Sequence, residues 1–583
     1  MSNLAATLDL KKLPFSRAKS SYYLFEENNR DGTNFEPGIY FGMSYPNGAT
    51  RREGLVRIVP VSDGKPLNYA YNCSPGRLEI TSDCGSVTIV MDSTASMRMY
   101  GSGIGIMIHK EMPVMSMETV TEVRPNVVEF NLFSPTGGGG RFVFSCVSGV
   151  VNLENKAVLT ADGVNRCTIW LLPGEDGCFE TQVNPAIPQE SEVFSKPLNE
   201  AVGEVEQAFE AYLSAYAEVP DKWQALKETC AYMCWINYRE ANPGEMAPVM
   251  LADMFCASRI SDMQCYAWHQ PFFGMAFSDG DSALGAITNV FSSLKNGMLP
   301  AAVCSGQLRY GSFPFYHGYA LTKTLDRCGN DLLPEDKAAA LYEKMKENYT
   351  WWKDSHSFLP GRISYSYPAE CGFPASSLTA LEFPLEAPDF YAQMILYSEV
   401  IGRVERLAGK GNGLFWYEES QALKKTLTGE LWDGERFICR GVISGKTFPC
   451  DSLLAYVPVI LGKRLPEDIL DKLSEALGCE KRFLGPRGLV SENMTSRYYD
   501  AKIPGCGTVE MILQQLFVLG LLDSGKAELA VKIAERVLNW TDKNAAVSSI
   551  PPEGGISSEK RPADVYEAVA ASAVIALAAG LPM

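Results

Sequence analysis

Four stretches carry side chains able to move protons or stack on a ligand. They are AWHQPFFGMAF, with Trp268, His269, Gln270 and Phe272; FPFYHGYAL, with Tyr316 and His317; YPAECGFPASS, with Glu370, Cys371 and Phe373; and SSIPPEGG, with Glu553. A fifth, IPGCGTVEM, ends in Glu510. Carboxyl groups, imidazoles and phenols serve general acid–base chemistry, and aromatic rings suit the apolar faces of sugars. Glu510 lies between Val509 and Met511 at the head of the apolar run MILQQLFVLGLL. That position predicts burial, and burial raises a carboxyl pKa towards the range a general acid needs. Glu370 and Glu553 sit in polar turns, where a carboxylate is often simply solvated. Two of the four histidines, His269 and His317, fall in aromatic loops, where a neutral imidazole commonly only satisfies backbone groups. His109 and His356, in strand-like and helix-end settings, are read as structural. Cys371 has no adjacent base that would make it a nucleophile.

The elements that must position these groups are legible in outline. A chain of 583 residues exceeds one hydrophobic core, so two or three domains are expected. The composition, 46% hydrophobic and 21% charged, belongs to a folded globular protein. A net charge of −17 excludes nucleic acid and anionic membrane as natural partners. No start of signal-peptide type is present, and the longest apolar run, Ala568 to Leu581, is shorter than the roughly 20 residues of a membrane span. A buried C-terminal helix and a cytoplasmic protein are expected. The 16 cysteines form no CxxC pair; Cys230 and Cys234 share a helical face without a further ligand nearby, so no metal and no cofactor are expected.

Up to about residue 190, RLEITSDCGSVTIVMD, NVVEFNLFS, GRFVFSCVSGVVNLE and CTIWLL alternate with period two between turn residues, the pattern of an antiparallel β-sandwich. The glycines Gly137 to Gly140 lie between two such runs without a following helix and Lys, and read as a hairpin rather than a phosphate loop. From about residue 195 apolar positions recur at three and four. Helical segments follow near 281–296, 314–327, 334–354, 388–408, 450–462, 508–523, 526–539 and 563–580, with Asp279 and Asp281 as caps for the first of these. Pro388 suits a first helical turn, Asp389 follows it, and Phe390, Met394, Tyr397, Ile401, Val404 and Leu407 form one stripe before Gly409. The predicted division is 1–192 sandwich, 193–220 linker helix and 221–583 toroid of helical hairpins, whose interhelical loops would build the pocket.

PFYHGYAL resembles the PPIHGWAL segment of glycoside hydrolases in the family 63 and trehalase clan. In the same order YAWHQPFFGMAF is similar to that clan's WSWDHCFNALAL, the 349–377 stretch to WWxxxRDxDGDGLPxYxHGNDSGWDNST, and EAPDFYAQMIL to ESPDLAAFLIL. NGMLPAAV, LWDGERF, DSLLAYVPVILGKRLP, GLVSENMTSRYYD and SSIPPEGG also find counterparts, so the match covers about residues 230–580. The resemblance implies a β-sandwich followed by an (α/α)6 toroid and a small carbohydrate or glycoside as substrate. Trp268, Gly372, Pro388 and Asp389 persist, but Pro374 stands where the clan has its acid, Ser548 where it has its base, and His269 where it has a sugar-binding Asp. Glu370 stands at the Asp of GNDSG, Glu510 at the second Trp of WRGPIW, and Glu553 in the loop of the clan's base.

Hydrolysis of a glycoside ordinarily needs two carboxyl groups, and neither proline nor serine replaces one. Three readings follow. One is a glycoside hydrolase using relocated groups among Glu510, Glu370 and Glu553, with Trp268, His269, Gln270, Phe272, Tyr316, His317, Phe373 and Asp389 around the sugar. The second is a carbohydrate-binding pseudoglycosidase, and the third an eliminase working through His317 or His269 with Tyr316. Sugar, linkage, stereochemistry and oligomeric state are left open.

Overall fold

A computed structural model describes residues 8–20, 22–27, 36–43, 56–109, 119–132, 140–156, 166–186, 196–239, 254–256, 264–304, 307–554 and 567–583. Residues 137–139 of the glycine run lie outside these, and Gly140 begins a strand. Two antiparallel sheets occupy the first part of the chain, one of seven strands and one of eight. The hairpin Leu78–Ser82 and Gly85–Val90 shows the logic: Leu78, Ile80, Val87 and Ile89 are buried while their neighbours face outward, so one face of each sheet is apolar. Those faces meet through aromatic side chains, with Phe41 of one sheet edge-on to Phe142 of the other at 4.7 Å.

The helix α1 (Leu198–Ser214) leaves the sheets and buries Val202, Val205, Phe209 and Leu213. Phe209 packs on Trp235 of α2 (Gln224–Ile236), with ring centroids 5.2 Å apart. The two halves are also tied directly: the Tyr232 hydroxyl takes the Ser16 amide and donates to the Pro14 carbonyl, both at 3.1 Å.

Beyond α1, hairpins alternate between two rings. The inner ring is α3 (Gln270–Ala276), α5 (His317–Cys328), α7 (Pro388–Leu407), the 3₁₀ segment Leu453–Arg464, α10 (Met511–Asp523) and α12 (Ala568–Ala579). Each packs on the next, and α12 returns to α3. The outer ring is α2, α4 (Gly280–Thr288), α6 (Glu335–His356), α8 (Leu414–Glu430), α9 (Glu467–Gly478) and α11 (Ala527–Lys543). Sequence explains the division. In α11 the buried residues fall on one stripe, whereas α10 and α12 have no polar face and nearly every residue is buried, Gln514 and Gln515 of α10 among them. This is the (α/α)6 toroid. Asp279 caps α4 by accepting the Ser282 amide at 2.8 Å, as the sequence predicts. The predicted helix near 450–462 is instead a 3₁₀ segment from 453 to 464; Pro458 inside it lacks the amide that an α-helix would use there. Among the described residues no helix is long and apolar enough to cross a membrane.

Close approach within the inner ring is bounded by glycine. A Cβ on Gly318 of α5 would stand 2.6 Å from the Tyr397 backbone of α7. Replacing Gly318→Ala therefore forces the two helices apart, and we expect a loss of about 2 kcal/mol, read as a lower midpoint in urea unfolding. An unchanged midpoint would show that the contact yields freely.

Candidate active site

Because every inner segment runs in the same sense, the loops that precede them gather at one end of the ring. Contacts trace this loop by loop. Trp268, ahead of α3, stacks against Phe313, ahead of α5, at 6.3 Å; Ser312 donates to Glu370, ahead of α7. Ser376 donates to Ser452 at 2.7 Å, ahead of the 3₁₀ segment, and Ser452 bridges to Glu492, ahead of α10. Glu510 then pairs with Ser549, ahead of α12. The residues singled out from sequence lie in this collar or just beneath it.

Glu510 is 5% exposed and directly precedes α10. Its Oε1 accepts the Gly505 amide at 2.8 Å, the Ser549 hydroxyl at 2.8 Å and the Thr508 hydroxyl. Its Oε2 makes no hydrogen bond among the described residues. Burial pushes the carboxyl pKa up and the nearby Glu567 carboxylate adds to that push, while the three donors oppose it. With Oε1 saturated by donors, a proton on this carboxyl resides on Oε2. Glu567 stands immediately before α12, as Glu510 does before α10, and its Oε2 accepts the Ser548 hydroxyl. The adjacent serines 548 and 549 thus each hold one of the two carboxyl groups. Sequence reasoning missed Glu567, although the signal was the same in both places: a glutamate heading a helix with no polar face.

The other two predicted glutamates are placed differently. Glu370 is 1% exposed and fully bonded: Oε1 takes Ser312 and His356 Nε2, the latter at 2.9 Å, while Oε2 takes the amides of Ser366 and Tyr367. It fastens the loop between α6 and α7, and His356 is its partner. Glu553 is exposed, beside Tyr499. A further carboxyl that sequence reasoning passed over, Glu492, is buried against the Ser377 amide with Oε1 unpartnered among the described residues, and burial raises its pKa. Ser377 belongs to the same loop as Pro374, which is exposed at the loop tip.

Around these groups, Trp268 and Phe373 meet edge-to-face at 6.3 Å, and a Cβ on Gly505 would touch Phe373 at 3.2 Å. The aromatic pair is therefore linked to the Glu510 loop. Partly buried His269 packs at 4.3 Å from Trp268, and desolvation pushes its pKa down to about 3. The Gln270 amide is engaged by the Phe255 amide and carbonyl and the Tyr266 carbonyl. Phe272 and Tyr316 meet at 5.5 Å deep in the ring, and the Tyr316 hydroxyl has no partner among the described residues. His317 stacks on Phe315 at 4.5 Å beside a cavity of only about 20 Å³, room for a single water, and burial lowers its pKa to about 3. Cys371 is buried and burial pushes its thiol up to about 12, far from a reactive thiolate. Among the described residues no group of three or more His, Cys, Asp or Glu is disposed to hold a metal ion.

Asp389, in the first turn of α7, is fully buried. Its Oδ2 accepts the Tyr365 hydroxyl at 2.7 Å, Oδ1 is unpartnered among the described residues, and desolvation raises its pKa to about 7. The folded state therefore holds a proton that the unfolded chain, with a carboxyl near 3.8, releases. Stability from this proton is complete below about pH 4 and is lost as pH rises through about 7, some 4 kcal/mol in all. We expect Asp389→Asn to gain on the wild type by up to that amount between pH 4 and 8 in chemical unfolding. A pH-independent difference would place the Asp389 carboxyl at its ordinary pKa.

The geometry can be set beside known proteins. Residues 264–550 match the mannosylglycerate hydrolase MGH1-like glycoside hydrolase domain. The structure is similar to a bacterial glucoamylase complexed with acarbose, at 11% identity over 97% of this chain and 94% of that one, with a TM-score of 0.57. It also resembles the family 63 mannosylglycerate hydrolase from Thermus thermophilus in complex with glucose, at 15% identity over 60% of this chain and 99% of that one, with a TM-score of 0.48. No curated protein matches the sequence.

Proposed function

We propose that the chain, whose residues 264–550 match the MGH1-like glycoside hydrolase domain, is a divergent relative of the six-hairpin toroid glycosidases and hydrolyses a small glycoside in the collar that precedes the inner ring. Glu510 acts as the general acid and Glu567 as its carboxylate partner. The observation that carries this reading is the pair of carboxyl groups held by the adjacent serines 548 and 549. A general acid must keep its proton near the working pH, and burial and the Glu567 carboxylate both push the Glu510 pKa in that direction. Its proton would sit on Oε2, the oxygen that accepts no hydrogen bond from the described residues. Ser548 stands where relatives carry their base, and the Glu567 carboxylate reaches that serine from the head of α12. Carboxyl groups relocated in this way fit the two-carboxylate requirement of glycoside hydrolysis. Elimination through His317 and Tyr316 is disfavoured, because burial drives their pKa values apart, the imidazole to about 3 and the phenol upward.

A binding-only reading draws on Glu370, whose four hydrogen bonds leave no oxygen for a substrate, and on Pro374 at the exposed loop tip. The two readings separate in one assay against aryl glucosides and mannosides of both anomers and mannosylglycerate. Hydrolysis by the wild type is expected, with Glu510→Gln and Glu567→Gln each lowering kcat by about 10²–10⁴ while circular dichroism is unchanged. Full activity in Glu510→Gln would remove the proposed acid. Calorimetric binding of these sugars with no product over long incubation would establish the binding-only protein instead.

A further inference from the structure

On the outer wall of the toroid, away from the collar, α6 and α8 stand apart over α7 and leave a groove of about 480 Å³. The volume suits one or two sugar rings. Its lip is unusual for a folded surface. Phe415, in the first turn of α8, is 63% exposed, and Leu414 and Tyr417 beside it are also exposed. Three large apolar side chains left in water on one helical turn contribute nothing to folding, and such patches mark binding surfaces. Behind Phe415 the aromatic lining continues inward: Trp416 meets the Phe415 ring edge-on at 5.1 Å and the Tyr349 ring at 5.1 Å.

The polar groups of the groove are held in place. Glu405, from α7, accepts the Tyr342 hydroxyl and the Gly413 amide, both at 2.7 Å. Glu419, from α8, accepts the Tyr349 hydroxyl at 2.9 Å and the Lys353 ammonium at 2.6 Å, all on Oε1, so that Oε2 is available. Lys346 lies over the Tyr342 ring at 6.0 Å without an ion-pair partner among the described residues. Two lysines and two glutamates line the groove, so its charge sums to zero.

From these features we infer that the groove between α6 and α8 is a second, non-catalytic carbohydrate site that takes a neutral oligosaccharide. A pyranose has an apolar CH face and a hydroxyl rim. The ring of Phe415 offers a stacking surface for the face, and the fixed carboxylate and ammonium groups accept from and donate to the rim. A balanced charge favours a neutral ligand over an acidic or basic one. Pre-positioned carboxylates spare the ligand the entropy of ordering them. The choice of a sugar over other amphipathic ligands rests on the glycosidase reading, whereas the existence of the site does not.

Maltohexaose and mannohexaose are the probes, titrated calorimetrically against Glu510→Gln, which suppresses turnover, and against Glu510→Gln combined with Phe415→Ala. Binding of at least one oligosaccharide is expected, weakened about tenfold by Phe415→Ala, while Phe415→Ala alone turns over a small aryl glycoside at the wild-type rate. Phe415 is exposed, so its truncation spares the fold. Should no glycoside be hydrolysed, the binding difference still decides the site, which separates failure of this inference from failure of the proposed activity. Equal affinities in the two variants, or no binding of either oligosaccharide, would overturn it. So would a wild-type dimer that Phe415→Ala dissociates in sedimentation, because the groove would then be a subunit contact.

Discussion

Two inner-ring helices that carry no polar face, α10 and α12, set the constraint on which the candidate site depends. A polar side chain buried along these helices needs a fixed partner, as Gln514 of α10 has in the Leu489 backbone, and the glutamates Glu510 and Glu567 stand where the two helices begin. Because each inner segment alternates with an outer one, all the beginnings fall at one end. Hairpin connectivity thus turns six separate loops into one collar, and contacts such as Trp268 with Phe313 and Ser376 with Ser452 sew it together.

Carboxyl groups at that collar are buried by the same packing that puts them there. Glu510, Glu492 and Asp389 have their pKa values raised, each chiefly by desolvation. What distinguishes Glu510 is the number of donors on one oxygen together with a second carboxyl group, Glu567, nearby. Three donors fix Oε1, and Oε2 faces no partner among the described residues. A carboxyl arranged so is oriented without being neutralised, and the partial positive charge at the start of α10 steadies its ionised form after proton release. Glu370 shows the contrasting case, in which four donors use both oxygens and the group serves the loop.

Much of this architecture was legible in the sequence because periodicity reports burial directly. Period-two runs before residue 190 and three-and-four spacing after it correspond to the two sheets and the helical rings. Where periodicity misled, a particular residue was responsible. Pro458 turned an apparent α-helix into a 3₁₀ segment, and α8 escaped notice because Leu414, Phe415 and Tyr417 point outward and spoil its stripe. Side-chain roles were harder to read. Glu370 is committed to Ser312, 58 residues earlier in the chain, and Glu567 to Ser548, 19 residues before it. No local pattern encodes such pairings; only closure of the ring does.

The central claim is that a sugar is held in the collar with its scissile oxygen presented to Glu510 Oε2. A crystal structure of Glu510→Gln with an intact glycoside substrate tests it most directly. The sugar is expected between the aromatic pair Trp268–Phe373 and the serines 548 and 549, with its glycosidic oxygen within hydrogen-bonding reach of the residue-510 side chain. A sugar bound elsewhere on the toroid, with residue 510 still enclosed by the loop of Gly505, would contradict the account.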